Sequence, residues 1–253
     1  MHEQLWFTAL LNKYLAGPVA AALSPLGVHF SDPHFVFNNL VAMEILVALL
    51  LLVFFVLVRM RLSVENPGGV QHIAEMLEEF INNQSRDVIG PHSEQFTPFL
   101  ATLGVFILVS NLLGLVPGFE SPTAAPVVPL GCALLTFVYY HFHGIREVGI
   151  VKYIIHFMGP QDPTMPLALR IGVGAMLFPI EIFSHLARIM SLTIRLYANM
   201  FAGDMVTLAF FSLIPLLVPV AFLFLHLGVA MIQTYIFVLL ATAYLSGAVA
   251  EAH

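Results

Sequence analysis

From residue 39 onward, long apolar runs alternate with short polar breaks. The first run covers about residues 39–58 and closes on Arg59-Met60-Arg61. At ~1.5 Å per helical residue it can cross a ~30 Å hydrocarbon core. Glu44 lies one turn inside its start, at interface depth. Residues 65–89 carry a different pattern. Ile73, Leu77, Phe80, Ile81 and Val88 recur at helical spacing, while Glu75, Glu78, Glu79 and Arg86 fill the other faces. This predicts an amphipathic interfacial helix, with Asn66-Pro67 as its cap. A second apolar run covers about 96–116, and a third about 127–142 after a Pro-rich loop. Residues 143–170 are polar by comparison. A very long run at 171–213, a Pro-bounded turn (Pro215, Pro219) and a last run at 220–249 complete the chain.

The 171–213 run as one helix would be about 60 Å long, twice the hydrocarbon thickness. It must tilt, lie partly in the membrane plane, or break near Pro179. The expected fold is an all-α polytopic membrane protein. It has about five membrane-crossing helices, one amphipathic interfacial helix, and a long tilted C-terminal hairpin over 171–249. Residues 1–35 read as an N-terminal interfacial segment, with Pro18 and Pro25 interrupting their apolar run. Their acidic start (Glu3) is unlike a secretory signal. Residues 36–253 read as a single transmembrane domain.

Composition supports this class. Of 253 residues, 59% are hydrophobic and 9% charged, against about 25% charged in soluble domains. The runs are too long and continuous for a β-barrel. A net charge of −6 suggests no nucleic-acid partner, and the single cysteine, Cys132, rules out an internal disulfide framework. Basic residues Arg59, Arg61, Arg86, Arg146, Lys152 and Arg170 fall in the loops after the first and third runs. The positive-inside rule then places those loops in the cytoplasm, the N-terminus outside and the C-terminus in the cytoplasm. No internal repeat supports an inverted-repeat transporter.

The chemistry concentrates in the long run. Glu181, Ser184, Arg188, Ser191, Arg195 and Asn199 follow spacings of 3, 4, 3, 4 and 4, which lie along one helix face. Such a stripe cannot face lipid. Arg195 keeps its charge at any working pH, and burying it at membrane depth costs at least ~2.5–3.5 kcal/mol. Gluing helices together does not require an unpaired cation. Asp204 follows nine positions later, about 180° around the helix. It therefore needs a partner other than Arg195. In an antiparallel hairpin, residues at equal depth share one index sum. Asp204 with His226, and Arg195 with Gln233, give nearly the same sum and centre the turn near Pro215. Asp and His can relay protons, and a fixed arginine stops such a path while attracting a carboxylate. The chain offers no obvious carboxylate for Arg195, which points to a membrane partner that brings one.

Ser-Leu-Thr-Ile-Arg-Leu-Tyr-Ala-Asn-Met (191–200), followed by Ala-Gly-Asp (202–204), resembles the signature of subunit a of the F-type ATP synthase. Asn-Leu-Leu-Gly-Leu-Val-Pro (111–117), Pro-Ile-Glu (179–181) and the tail motifs of 224–246 resemble the same family, in order from about residue 36. The resemblance implies a proton-translocating stator against a rotating ring of c subunits, held with peripheral-stalk b subunits in a bacterial plasma membrane. Two offset half-channels would serve the ring carboxylates. The family's essential arginine falls on Arg195, and its proton-path residues on Asn199, Asp204, His226, Gln233 and Glu181. Asp204 stands where bacterial members more often carry Glu, one methylene longer. Ser184, His185, Arg188 and Ser191 are candidate cavity-lining residues. The coupling ion implied is the proton, with sodium as the alternative.

No cofactor or metal is expected. His141, His143 and His156 are the nearest histidine cluster among eleven, and they read as lying outside any clean span. No phosphate-binding Gly-rich loop appears, so the chain itself is not expected to be an enzyme, and ATP chemistry belongs to another subunit. The rival reading is a free-standing proton channel or proton-coupled transporter.

Overall fold

A computed structural model describes residues 4–26, 36–63, 68–90, 93–116, 118–157, 166–213 and 217–249. Their order is α1 (Trp6–Leu23), α2 (Asn39–Met60), α3 (Gly69–Ile89), α4 (Thr97–Leu113), α5 (Val127–Val148), α6 (Ile150–His156), α7 (Leu167–Leu213) and α8 (Leu217–Val249), with short 3-10 turns between some of them. The protein is all-helical among the described residues. Among the described residues, four segments are long and apolar enough to cross a membrane: Asn39–Met60, Val127–Val148, Ile171–Phe210 and Val220–Val249. The fifth expected crossing is the shorter apolar helix α4, of 17 residues. It stops at Leu113 because the chain turns tightly at Gly114. A Cβ on Gly114 would lie 2.7 Å from the Ser121 Cβ.

The long run is one helix of 47 residues. Pro179 lies inside it without ending it. Proline removes one backbone hydrogen bond, a loss that membrane helices tolerate when neighbours compensate. Likewise Pro18 sits inside α1 instead of ending the apolar run. The cap expected at Asn66-Pro67 and the turn residue Pro215 lie outside the described residues.

The chain divides into two compact units. The first comprises Met1–Met76, Gly104–Ala125 and Ala198–Thr234. Its core is Leu11, Ala42, Met43, Val47 and Leu113, where α1 meets α2. The Asn12 carboxamide fixes that contact. It donates to the Phe37 carbonyl and accepts from the Phe37 N–H, both at 2.9 Å. Asn38 caps α2 by accepting from the Val41 N–H at 2.8 Å. Within this unit α7 and α8 run antiparallel, as shown by the stacked Phe210 and Phe222 rings, 4.4 Å apart.

The second unit comprises Leu77–Leu103, Pro126–Tyr197 and Tyr235–His253. Phe99 stacks on Tyr139 at 3.7 Å, and the Ser246 hydroxyl donates to the Val88 carbonyl at 2.8 Å. Helix α5 runs six residues beyond the expected end at 142, so His143 as well as His141 lies within this span and not outside it. It ends at Gly149, whose positive φ of 85° suits glycine and lets α6 fold back. The Tyr153 ring of α6 then packs against Gly144, where a Cβ would lie 2.6 Å from it.

Apolar side chains cover the outer faces. Leu49, Leu50, Leu52 and Val53 on α2, and Phe183, Leu186, Met190 and Ile194 on α7, are exposed. Lipid is the solvent that accepts such a surface.

Candidate functional site

In the first unit, α7 and α8 carry the acid–imidazole pair. His226 Nδ1 lies 3.8 Å from Asp204 Oδ1, as the equal-depth argument expects. The distance is too long for a direct hydrogen bond and close enough for charge to be felt. His226 is buried, while Asp204 keeps 29% of its side chain exposed. Gly203 makes this approach possible, since a Cβ there would lie 2.8 Å from the imidazole.

Gln233 is buried, and its Oε1 accepts from Asn199 Nδ2 at 2.8 Å. The depth count set Gln233 level with Arg195, and Asn199, its hydrogen-bond partner, lies one turn from that height along α7. Among the described residues, five buried polar atoms in this unit have no protein partner: Thr8 Oγ1, Ser110 Oγ, Thr207 Oγ1, His226 Nε2 and Gln233 Nε2. Each such atom costs about 1–3 kcal/mol of desolvation, and such costs are kept where a site uses them.

The unit also holds a buried network that the sequence reading did not single out. Asn111 Nδ2 donates to the Ala230 carbonyl at 3.3 Å and to Thr234 Oγ1 at 3.2 Å. Its Oδ1 accepts from Thr123 Oγ1 at 2.6 Å. The Ser121 hydroxyl donates to the Ser110 carbonyl at 3.0 Å. Asn111 heads the 111–117 motif quoted from the sequence, and a polar amide inside an apolar span is itself a functional signal, but its partners could not be read there.

In the second unit, α7 presents the other half of the stripe. Arg195 Nη2 donates to Ser191 Oγ at 3.2 Å, one turn earlier. Among the described residues no carboxylate pairs with Arg195. Glu181 Oε1 lies 3.7 Å from Arg188 Nη2 and 3.5 Å from His185 Nε2. The Arg188 guanidinium sits over the Tyr244 ring, 5.1 Å from its centroid. The Ser184 hydroxyl turns back to the Ile180 carbonyl at 3.0 Å, so its hydrogen bond is local.

Helix α5 adds Tyr140, which carried no signal in the sequence, and His141, which stood out there only as part of a histidine cluster. His185 Nδ1 and Tyr140 Oη are 2.8 Å apart. The His141 ring lies 4.7 Å from the His185 ring, and its Nδ1 is 2.6 Å from Tyr153 Oη. Their mutual spacing depends on how α5, α6 and α7 pack, which no single run of sequence states.

These features define a class: a multi-pass helical membrane protein with a fixed cation on one long helix and an acid–imidazole pair between that helix and the next. The ATP synthase A chain family model matches residues 40–246. An ATP synthase subunit a of Koribacter versatilis is 58% identical over 253 residues, all of both chains. One from Solibacter usitatus is 41% identical over 244 residues, covering 96% of this chain and 100% of the relative. One from Campylobacter jejuni (strain RM1221) is 40% identical over 191 residues, 74% of this chain and 80% of the relative. The chain belongs to the ATP synthase A chain family, a membrane component of the ATP synthase. The Koribacter match extends through residues 1–35, which the motif resemblance did not reach.

Proposed function

We propose that this chain is the proton-conducting stator of an F-type ATP synthase in a bacterial plasma membrane. It lies against a ring of c subunits and is braced by b subunits, with its N-terminus outside and its C-terminus in the cytoplasm. Protons enter through an outer half-channel at Asp204 and His226 and load a ring carboxylate. A water molecule can bridge the 3.8 Å between these two side chains, and the unpartnered Nε2 gives the imidazole a second face for transfer. Asn199 and Gln233 hold the inner end of that path. The loaded ring turns until its carboxylate meets Arg195. The guanidinium favours the ionised carboxylate and so displaces the proton. Release follows the second half-channel, past Ser191, Arg188, His185 and Ser184 to Glu181. Because Arg195 cannot itself relay a proton, it blocks direct leakage between the two paths. The chain performs no nucleotide chemistry. Residues 1–35 form the lead-in to a single membrane domain over 36–253.

One observation carries the reading: Arg195 is a permanent cation in an unbroken apolar helix, without an acidic partner among the described residues. A ring carboxylate supplies the missing partner.

The test is a disulfide cross-link between Ala198→Cys and a cysteine beside the carboxylate of a co-expressed c subunit. Ala198 is exposed near Arg195 on α7, whereas Leu192 is buried at 2%. A specific cross-link, lost when the ring cysteine is moved to the opposite face, is expected. An assembled subunit that never cross-links, while still conducting protons alone in liposomes, would replace the stator with a free-standing channel.

A further inference from the structure

His185 lines the release path proposed above, and the His141 ring lies 4.7 Å from it. We propose that His185 is a proton-transfer residue of the release path, passing the proton on to Glu181, with Tyr140 and His141 as its positioning residues. This rests on the half-channel reading given above.

The geometry sets one direction for each group. Glu181 keeps about a third of its side chain exposed (34%), whereas the His185 side chain keeps 11%. Their closest approach is 3.5 Å, from Oε1 to Nε2, slightly beyond hydrogen-bond length, so a small rotation of either side chain closes it. Tyr140 holds the opposite ring nitrogen at 2.8 Å. When His185 carries its neutral proton on Nδ1, that N–H donates to Tyr140 Oη and the Nε2 lone pair faces Glu181. Nε2 takes up the proton arriving from the ring side, and His185 becomes an imidazolium. It then passes that proton from Nε2 to the Glu181 carboxylate and returns to neutral, and the more exposed Glu181 carboxyl releases the proton to bulk water.

The surroundings suit a transient imidazolium. Arg188 faces Glu181 at 3.7 Å from the same helix and is drawn over Tyr244 of α8. From α5, Tyr140 and His141 face the ring, and Tyr153 of α6 holds His141 in place at 2.6 Å. Phe137 and Phe157 complete the wall, with ring centroids 6.4 and 5.0 Å from that of His185. The ionised Glu181 stabilises the charged ring while Arg188 opposes it, so the proton is not trapped. An aromatic wall keeps the imidazole in one orientation, as a relay requires.

The experiment uses the intact ATP synthase in inverted vesicles, then the same vesicles stripped of their catalytic sector. Passive proton flux is read while pH is varied separately on each side. His185→Ala is expected to lower flux on the order of a hundredfold, the usual cost of losing a proton-transfer group. It should also flatten the pH profile on the release side only. Imidazole added to the buffer should restore flux severalfold, which a merely structural role would not allow. Tyr140→Phe, which removes one hydroxyl, should shift the release-side profile. Wild-type flux and profile in His185→Ala, alongside a depressed Glu181→Gln, would overturn the role of His185 and leave the half-channel reading standing. Wild-type flux in Glu181→Gln would overturn both. If His185→Ala does not assemble, Tyr140→Phe decides: a moved profile supports the relay and an unmoved one refutes it.

Discussion

Gly203 of α7 packs directly under the His226 ring of α8, with space for a hydrogen and none for a methyl group. A Cβ at Gly203 would come within 2.8 Å of both Cε1 and Nε2. The approach of His226 to Asp204 therefore depends on a residue with no chemistry of its own.

Gly203→Ala should push the imidazole off its position at a cost of about 1–3 kcal/mol of overpacking. Proton flux should fall on the order of a hundredfold, as for a reacting group displaced by about 1 Å. Flux through stripped vesicles, normalised to subunit content, checks this. Unchanged flux would mean that His226 has another resting place.

Asp204→Glu should preserve flux. One extra methylene adds about 1.5 Å of reach, enough to close the 3.8 Å gap to hydrogen-bond length. Asp204→Asn should lower flux on the order of a hundredfold, because the amide cannot take up a proton at working pH. Exchanging the two residues, as Asp204→His with His226→Asp, should recover part of the activity lost by His226→Ala. Absence of any recovery would argue against proton exchange between them.

Arg195→Lys should fail almost as fully as Arg195→Ala, with ATP synthesis reduced at least about a hundredfold and the complex still assembled. Lysine is a point charge on a flexible stem and lacks the fixed fork that holds a carboxylate. Proton-driven ATP synthesis in reconstituted liposomes is the measurement. Near-normal synthesis by the lysine variant would reduce the role of Arg195 to charge alone.

Asn111→Ala removes three hydrogen bonds, to Ala230, Thr234 and Thr123. At roughly 0.6 kcal/mol each in a membrane bundle, the loss is about 2 kcal/mol. The purified complex should release this subunit at a lower temperature, as followed by thermal unfolding in detergent. An unaltered melting profile would show that the network positions side chains without contributing to stability.

The spans, the amphipathic α3 and the stripe that holds Arg195 are written in the sequence because each depends on one local quantity. Span length follows from hydrocarbon thickness, and stripe direction from 3.6 residues per turn. The Asp204–His226 pairing was also legible, since an antiparallel hairpin reduces depth to simple counting. The same counting set Gln233 at about the height of Arg195, and its hydrogen bond goes to Asn199, one turn along α7. A shift of a few residues leaves depth nearly unchanged but decides which side chains touch.

What the sequence determined by itself is that a permanent cation sits inside a long apolar run, with an acid and an imidazole at matched heights beyond it. The cost of burying charge in hydrocarbon makes those residues stand out without any coordinates. Only the tertiary structure decided that Tyr140 and His141 close around His185, that Asn111 binds both α8 and the turn at Thr123, and that Gly203 admits His226. These contacts join residues far apart in the chain. They depend on helix rotation and on the small residues that let backbones approach, and neither leaves a periodic mark in the sequence.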